Sequence, residues 1–194
     1  MMPSGSLFNP IDWVRPKLQK PASKMAVFAL AVLSLLYFFD EFDTAAFGVL
    51  APDIERSFHL TDQKFISIVV LNVSLVLLLA IPVSYLADRI RRTPLVIISG
   101  VLAGLFSFGT GIVGSAGLLV LVRFGNGLGL LGNGSIHNSL LADYFPAEDR
   151  GPVYATHQNA VYLGGIAGPM LAGLMASLFG WRSAFLILIV PILA

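Results

Sequence analysis

Cysteine is absent from all 194 residues, which excludes a disulfide framework, a thiolate nucleophile and any cysteine-ligated metal. Charge is scarce as well: 12% of residues are Asp, Glu, Lys or Arg, and the formal net charge is +1. No basic face is therefore available for nucleic acid, and the charge balance implies no acidic partner. Apolar residues fill the space that charge leaves. With 56% hydrophobic residues and a mean hydropathy of +0.83, the chain lies far outside the range of soluble domains. The composition is that of an integral membrane protein, all-α, with room for about six helices of roughly 20 residues.

Residues 1–24 are polar, carry Pro3, Pro10, Pro16 and Pro21, and lack the apolar core of a signal peptide. They read as a cytosolic tail, ahead of one helical unit over 25–194. The apolar runs predict helices at about 25–50, 65–86, 94–113, 118–144 and 153–179, with a sixth run at 183–194. A polar connection, 52–63, separates the first two. Pro94 suits the first turn of a helix, where its missing N–H is not needed. Twelve residues at 1.5 Å each cannot cross a core of about 30 Å, so the sixth run is expected to be an incomplete helix.

Basic residues orient the segments. Arg15, Lys17, Lys20, Lys24, Arg89, Arg91, Arg92 and Arg150 fall on one side, and only Arg56, Lys64 and Arg182 on the other. The N-terminus is expected in the cytosol.

Charge inside the membrane is the feature that points to function. Each such group costs about 2.5–3.5 kcal/mol at the bilayer centre even on the lenient insertion scale, so Asp40, Glu41 and Arg123 are not expected to face lipid. On a helical wheel Ser34, Tyr37, Asp40, Glu41 and Thr44 share one arc, and Asp43 lies outside it. Arg123, Asn126, Asn133 and His137 form one stripe of the fourth segment. Counting helical rise, Asp40 lies about 22 Å from the start of its helix and Arg123 roughly 8 Å from the start of its own. Those depths match, and an Asp40–Arg123 pair is expected, with Asp43 solvated near the outer interface. His137 and His157 fall at similar depth, where they could meet each other or a substrate; the commoner role of such histidines is a helix–helix hydrogen bond. No third ligand stands near them to make a metal site.

Two strings are false signals. Gly127, Gly129 and Gly132 fit a dinucleotide-binding pattern that has meaning only between a strand and a helix. Asn72-Val-Ser74 is a nominal glycosylation sequence in mid-membrane. No cofactor is expected, and no nucleophile–base pair or metal spacing supports an enzyme.

The hinge Ser84-x-Leu86-Ala87-Asp88-Arg89-x-x-Arg92 resembles the loop between helices 2 and 3 of the major facilitator superfamily. Arg123-x-x-Asn126-Gly127-x-Gly129 is similar to that family's helix 4 motif, and Gly164-x-x-x-Gly168-Pro169-x-x-x-Gly173 to its helix 5 motif. Ser84, Arg91, Thr93 and Ala172 depart from the pattern. Details around Asp40 and Asp143 look most like the Spinster-like and anion:cation symporter branches. The resemblance implies the N-terminal half of a twelve-helix transporter working by alternating access, whose partner is a second six-helix half. Its substrate would be a small or lipid-like solute, with protons coupled through Asp40, Glu41 and Arg123, and Tyr37, Asn126, Asn133 and His137 nearby. Asp88, Arg89, Arg92 and Asp143 would form a cytosolic gate. A non-transporting membrane scaffold is the alternative, which surplus acid on the first helix disfavours.

Overall fold

The computed structural model describes residues 23–87, 89, 91–130 and 133–189. These form an all-helical bundle: α1 (Lys24–Val49), α2 (Ala51–Phe58), α3 (Asp62–Ala87), α4 (Arg92–Ile112), α5 (Ala116–Leu130), α6 (Asn133–Tyr144), α7 (Arg150–Phe179) and α8 (Arg182–Leu186). Single 3-10 turns precede α7 at Ala147–Asp149 and follow α8 at Ile187–Ile189. By length and apolar composition α1, α3, α4 and the helix ending at Phe179 are each able to cross a membrane. The protein is an integral, multi-pass membrane protein. The expected tail, 1–22, lies outside the described residues.

Local chemistry sets most of the boundaries. Ser23 caps α1 by accepting the N–H of Ala26 at 3.1 Å, which satisfies one of the donors left over in a first turn. Arg91 is the extended residue before α4, so Pro94 falls inside the first turn. Gly180 ends α7 at φ +85°, a conformation side chains resist.

One boundary departs from the expectation. The polar connection 52–63 holds α2, a two-turn amphipathic helix with Pro52 and Asp53 in its first turn and Ile54 fully buried. Its apolar face closes over the end of α1, and His59 stops it in the left-handed region at φ 52°.

Two apolar clusters organise the interior. At the end bearing α2, Phe47, Leu50, Ile54, Phe65, Leu119, Trp181 and Phe185 pack together. At the opposite end, beside the α3–α4 hinge, Leu33, Val96, Ile136, Leu141, Phe145 and Val153 do the same. α1 is the central helix, and its longest contact is with α7. There Gly164 and Gly168 approach the α1 backbone so closely that a methyl on Gly164 would overlap the carbonyl oxygen of Phe38, while one on Gly168 would lie 2.8 Å from that of Phe42. Without a hydrophobic drive between helices in lipid, such backbone approach is a main source of attraction. α7 continues through Pro169, and α3 through Pro82.

Candidate functional site

Acid from α1, a base from α5 and a hydroxyl from α4 meet in the interior. Arg123 donates from Nη1 to Asp43 Oδ2 at 2.7 Å, with side chains 9% and 3% exposed. The Ser107 hydroxyl donates to the other carboxylate oxygen of Asp43. The guanidinium also lies over the Phe47 ring, 4.1 Å from its centroid. Asp43 thus spends both oxygens on partners from two other helices, as a buried carboxylate needs to.

This corrects the expected Asp40–Arg123 pair and the solvated Asp43. Matching Cα depths ignored side-chain direction. Cβ vectors tilt toward a helix's N-terminus, so on antiparallel helices the long arginine reaches toward the α2 end while Asp43 leans back from it. A readable signal was available: Asp43 falls in the stripe Leu36, Phe39, Phe47 and Leu50, which packs on α4 and α5. A charge in an apolar stripe requires a buried partner.

Asp40 lines a cavity of about 370 Å³ with Asp43, Phe39, Gly100, Ser107 and Asn126. A second cavity, about 280 Å³, lies on the other side of α5 and is lined in part by Thr44, Asn72, Arg123 and Asn126. Asn126 is buried between the two and donates to the carbonyl of Ala103 at 3.1 Å. Asn72, which offered no signal beyond a false glycosylation sequence, donates to the Arg123 main-chain carbonyl at 2.5 Å. Asn133 is the first residue of α6; its side chain lies outside the description.

Of the polar arc of α1, Ser34, Tyr37 and Glu41 face α6 and α7, while Asp40 and Thr44 line the two cavities. Glu41 packs over Gly164 and Gly165. One turn back, the Tyr37 ring sits 5.8 Å from that of His137 and 5.0 Å from that of His157, between centroids. The centroids of the two imidazoles lie 5.3 Å apart.

At the hinge Arg92 donates to Asp143 at 2.7 Å, tying the start of α4 to the end of α6. Arg89 lies over the Tyr85 ring at 4.3 Å; Asp88 lies outside the described residues. Arg150, unassigned by sequence reasoning, closes the α6–α7 loop by donating to the carbonyls of Phe145 at 3.1 Å and Ala142 at 2.9 Å. In the helix 5 motif Gly164 and Gly168 make the close α1 contact, whereas nothing lies within 4 Å of a methyl placed on Gly173.

The family model of the Major Facilitator Superfamily matches residues 33–194. The chain belongs to this superfamily. Among relatives, a cis,cis-muconate transport protein of Acinetobacter baylyi is 34% identical over 109 residues, 55% of this chain and 26% of its own length. A 4-hydroxybenzoate transporter, PcaK, of Pseudomonas putida is 24% identical over 169 residues, 87% of this chain and 38% of its own. A solved bacterial homologue of the human lysosomal transporter Spinster, inward-facing and occupied, superimposes with a TM-score of 0.77 at 24% identity, over 89% of this chain and 43% of that one. That likeness establishes the fold. This major facilitator chain therefore spans well under half the length of the relatives it matches. Within it Arg92, Arg123, Gly164 and Gly168 make the contacts described above.

Proposed function

We propose that the chain forms the N-terminal half of a secondary transporter that moves a small organic anion by alternating access, with a proton coupled to the movement. The observation that carries the proton part is the buried Asp43–Arg123 pair with its Ser107 bond, set beside a cavity that also takes Asp40. Protonating a carboxylate in such a site releases the guanidinium, and a proton thereby changes how α1, α4 and α5 hold together. Asp43, as the partner of Arg123, is the coupling acid on this reading; Asp40, Glu41, Tyr37 and Asn126 line the path beside it. The anion class is supported by relatives named for muconate and 4-hydroxybenzoate transport. The hinge pair Arg92–Asp143 acts as a gate on the cytosolic side, with the N-terminus in the cytosol and a second six-helix half completing the site between halves.

The test uses the full-length protein that carries this chain, purified into liposomes. Counterflow of radiolabelled muconate or 4-hydroxybenzoate and uptake driven by an inward proton gradient are measured for the parent and for Asp43→Asn and Asp40→Asn. Asp43→Asn is expected to lose gradient-driven uptake and keep counterflow. If neither gradient nor counterflow moves any carboxylate tried, the transporter reading gives way to a scaffold. Loss through Asp40→Asn alone would return the coupling role to that residue.

A further inference from the structure

His137 on α6 and His157 on α7 are 1% and 2% exposed. His137 Nδ1 and His157 Nε2 have no hydrogen-bond partner among the described residues, although buried polar atoms are rarely left so. The other ring nitrogen of His157, Nδ1, shares a hydrogen bond with Ser34 Oγ at 3.3 Å. A neutral imidazole has one donor and one acceptor nitrogen. If Nδ1–H of His157 donates to Ser34, its Nε2 carries the free lone pair.

Simple packing does not explain this arrangement, since an apolar pair would fill the same space without orphan nitrogens. A metal is not supported either: no group of three or more His, Cys, Asp or Glu is gathered among the described residues. A substrate anion needs an entrance, and both rings are sealed. What remains is a proton shared between the two imidazoles, whose ring centroids lie 5.3 Å apart.

We propose that His137 and His157 form a proton-binding site between α6 and α7, separate from the Asp43–Arg123 pair. An excess proton forms an N–H bond at His157 Nε2, leaving water as its source, and is shared with His137 Nδ1. The groups around the pair fit a single positive charge. On α1 these are Ser34, Tyr37 and, one turn on, Asp40 and Glu41. On α6 and α7 the nearest charges are Asp143, bonded to Arg92 of α4, and Arg150, bonded to main-chain carbonyls, all at the hinge end. Asp40 and Glu41 stand on the helix whose Tyr37 ring packs against both imidazoles. Ser34, Tyr37 and Glu41, spaced three and four residues apart, make one face of that helix a polar track from the histidines toward the cavity carboxylates. As a route for the coupled proton, this site rests on the transport reading above; as a proton site it does not.

The experiment is nitrogen-15 NMR of histidine-labelled full-length protein in liposomes, titrated from about pH 5 to 8, the range in which imidazoles change charge. The two rings are expected to titrate as one coupled unit, with His137→Asn moving the His157 midpoint by about one pH unit or more, and the reverse for His157→Asn. Ser34→Ala keeps both imidazoles and is expected to alter the His157 tautomer balance and shift the shared midpoint, which provides a reading if a histidine variant does not fold. Two rings that titrate independently, or that both stay neutral throughout, would overturn the proposal. Because this signal needs no substrate, missing counterflow would remove the transport reading while leaving the proton site standing or falling by its own titration.

Discussion

Asp43 holds Arg123 across the bundle at 2.7 Å, and the same carboxylate takes the Ser107 hydroxyl, so three membrane helices are joined at one side chain. The pair is buried, and its energetics are asymmetric. Bringing two charges out of water costs about as much as their attraction returns, but removing one partner strands the other.

Asp43→Asn is therefore expected to destabilise the protein by about 3–5 kcal/mol, because Arg123 is left buried without a counter-charge. Pairing it with Arg123→Met should recover much of that loss. Denaturant unfolding of the two variants in detergent checks the order, and a double variant no more stable than Asp43→Asn alone would contradict the assignment.

The α1–α7 contact makes a sharper steric forecast. Gly164→Ala places a methyl against the Phe38 carbonyl and is expected to cost about 1–3 kcal/mol through helix separation. Gly173→Ala has open space and is expected to be neutral or to stabilise by up to about 1 kcal/mol through helix propensity. Thermal unfolding of the two single variants, compared side by side, gives the answer.

At the hinge the Arg92 and Asp143 side chains are 37% and 55% exposed. A solvated pair of this kind contributes below about 1 kcal/mol, and salt weakens it further. Asp143→Asn is expected to change unfolding stability by less than that amount, with the difference vanishing in about 1 M salt. A larger, salt-resistant loss would mean that the contact is structural rather than a reversible tie.

Near the α2 end the Trp181 indole donates to Ser57 Oγ at 2.8 Å, and the same ring packs edge-on to Phe58 and Phe185. Ser57→Ala should cost about 0.5–1.5 kcal/mol, the ordinary net worth of one hydrogen bond, and Trp181→Phe more, because the buried indole also loses packing volume. Ser57→Ala in a Trp181→Phe background should cost almost nothing, and a full additive loss would show that the hydrogen bond is not the shared cause.

Sequence made α1, α3, α4 and α7 legible as apolar helices long enough to cross a membrane, because run length and hydropathy are properties local to each segment. The four-residue spacing of Gly164 and Gly168 is visible in the sequence, whereas the Phe38 and Phe42 carbonyls they meet are not. α2 was not legible: its residues are polar, and its helix depends on Pro52 and Asp53 starting a turn beneath a single buried Ile54. The partner of Arg123 was lost for another reason. Helical rise locates Cα atoms, whereas ion pairs form at the ends of side chains that tilt in opposite directions on antiparallel helices.

Arg150, described above as a loop closure, has a mechanical consequence. By gripping the carbonyls of Ala142 and Phe145 from the first residue of α7, it fastens the two helices of the α6–α7 hairpin at their shared end. His137 and His157 then ride on one stiff piece, while Ser34 and Tyr37 ride on another, which touches that piece most closely further along, at Gly164 and Gly168. A small pivot about the glycines would leave the imidazole spacing untouched and open or shut the Ser34 and Tyr37 side. Such a pivot would bear on the end of α6 that Arg92 holds through Asp143.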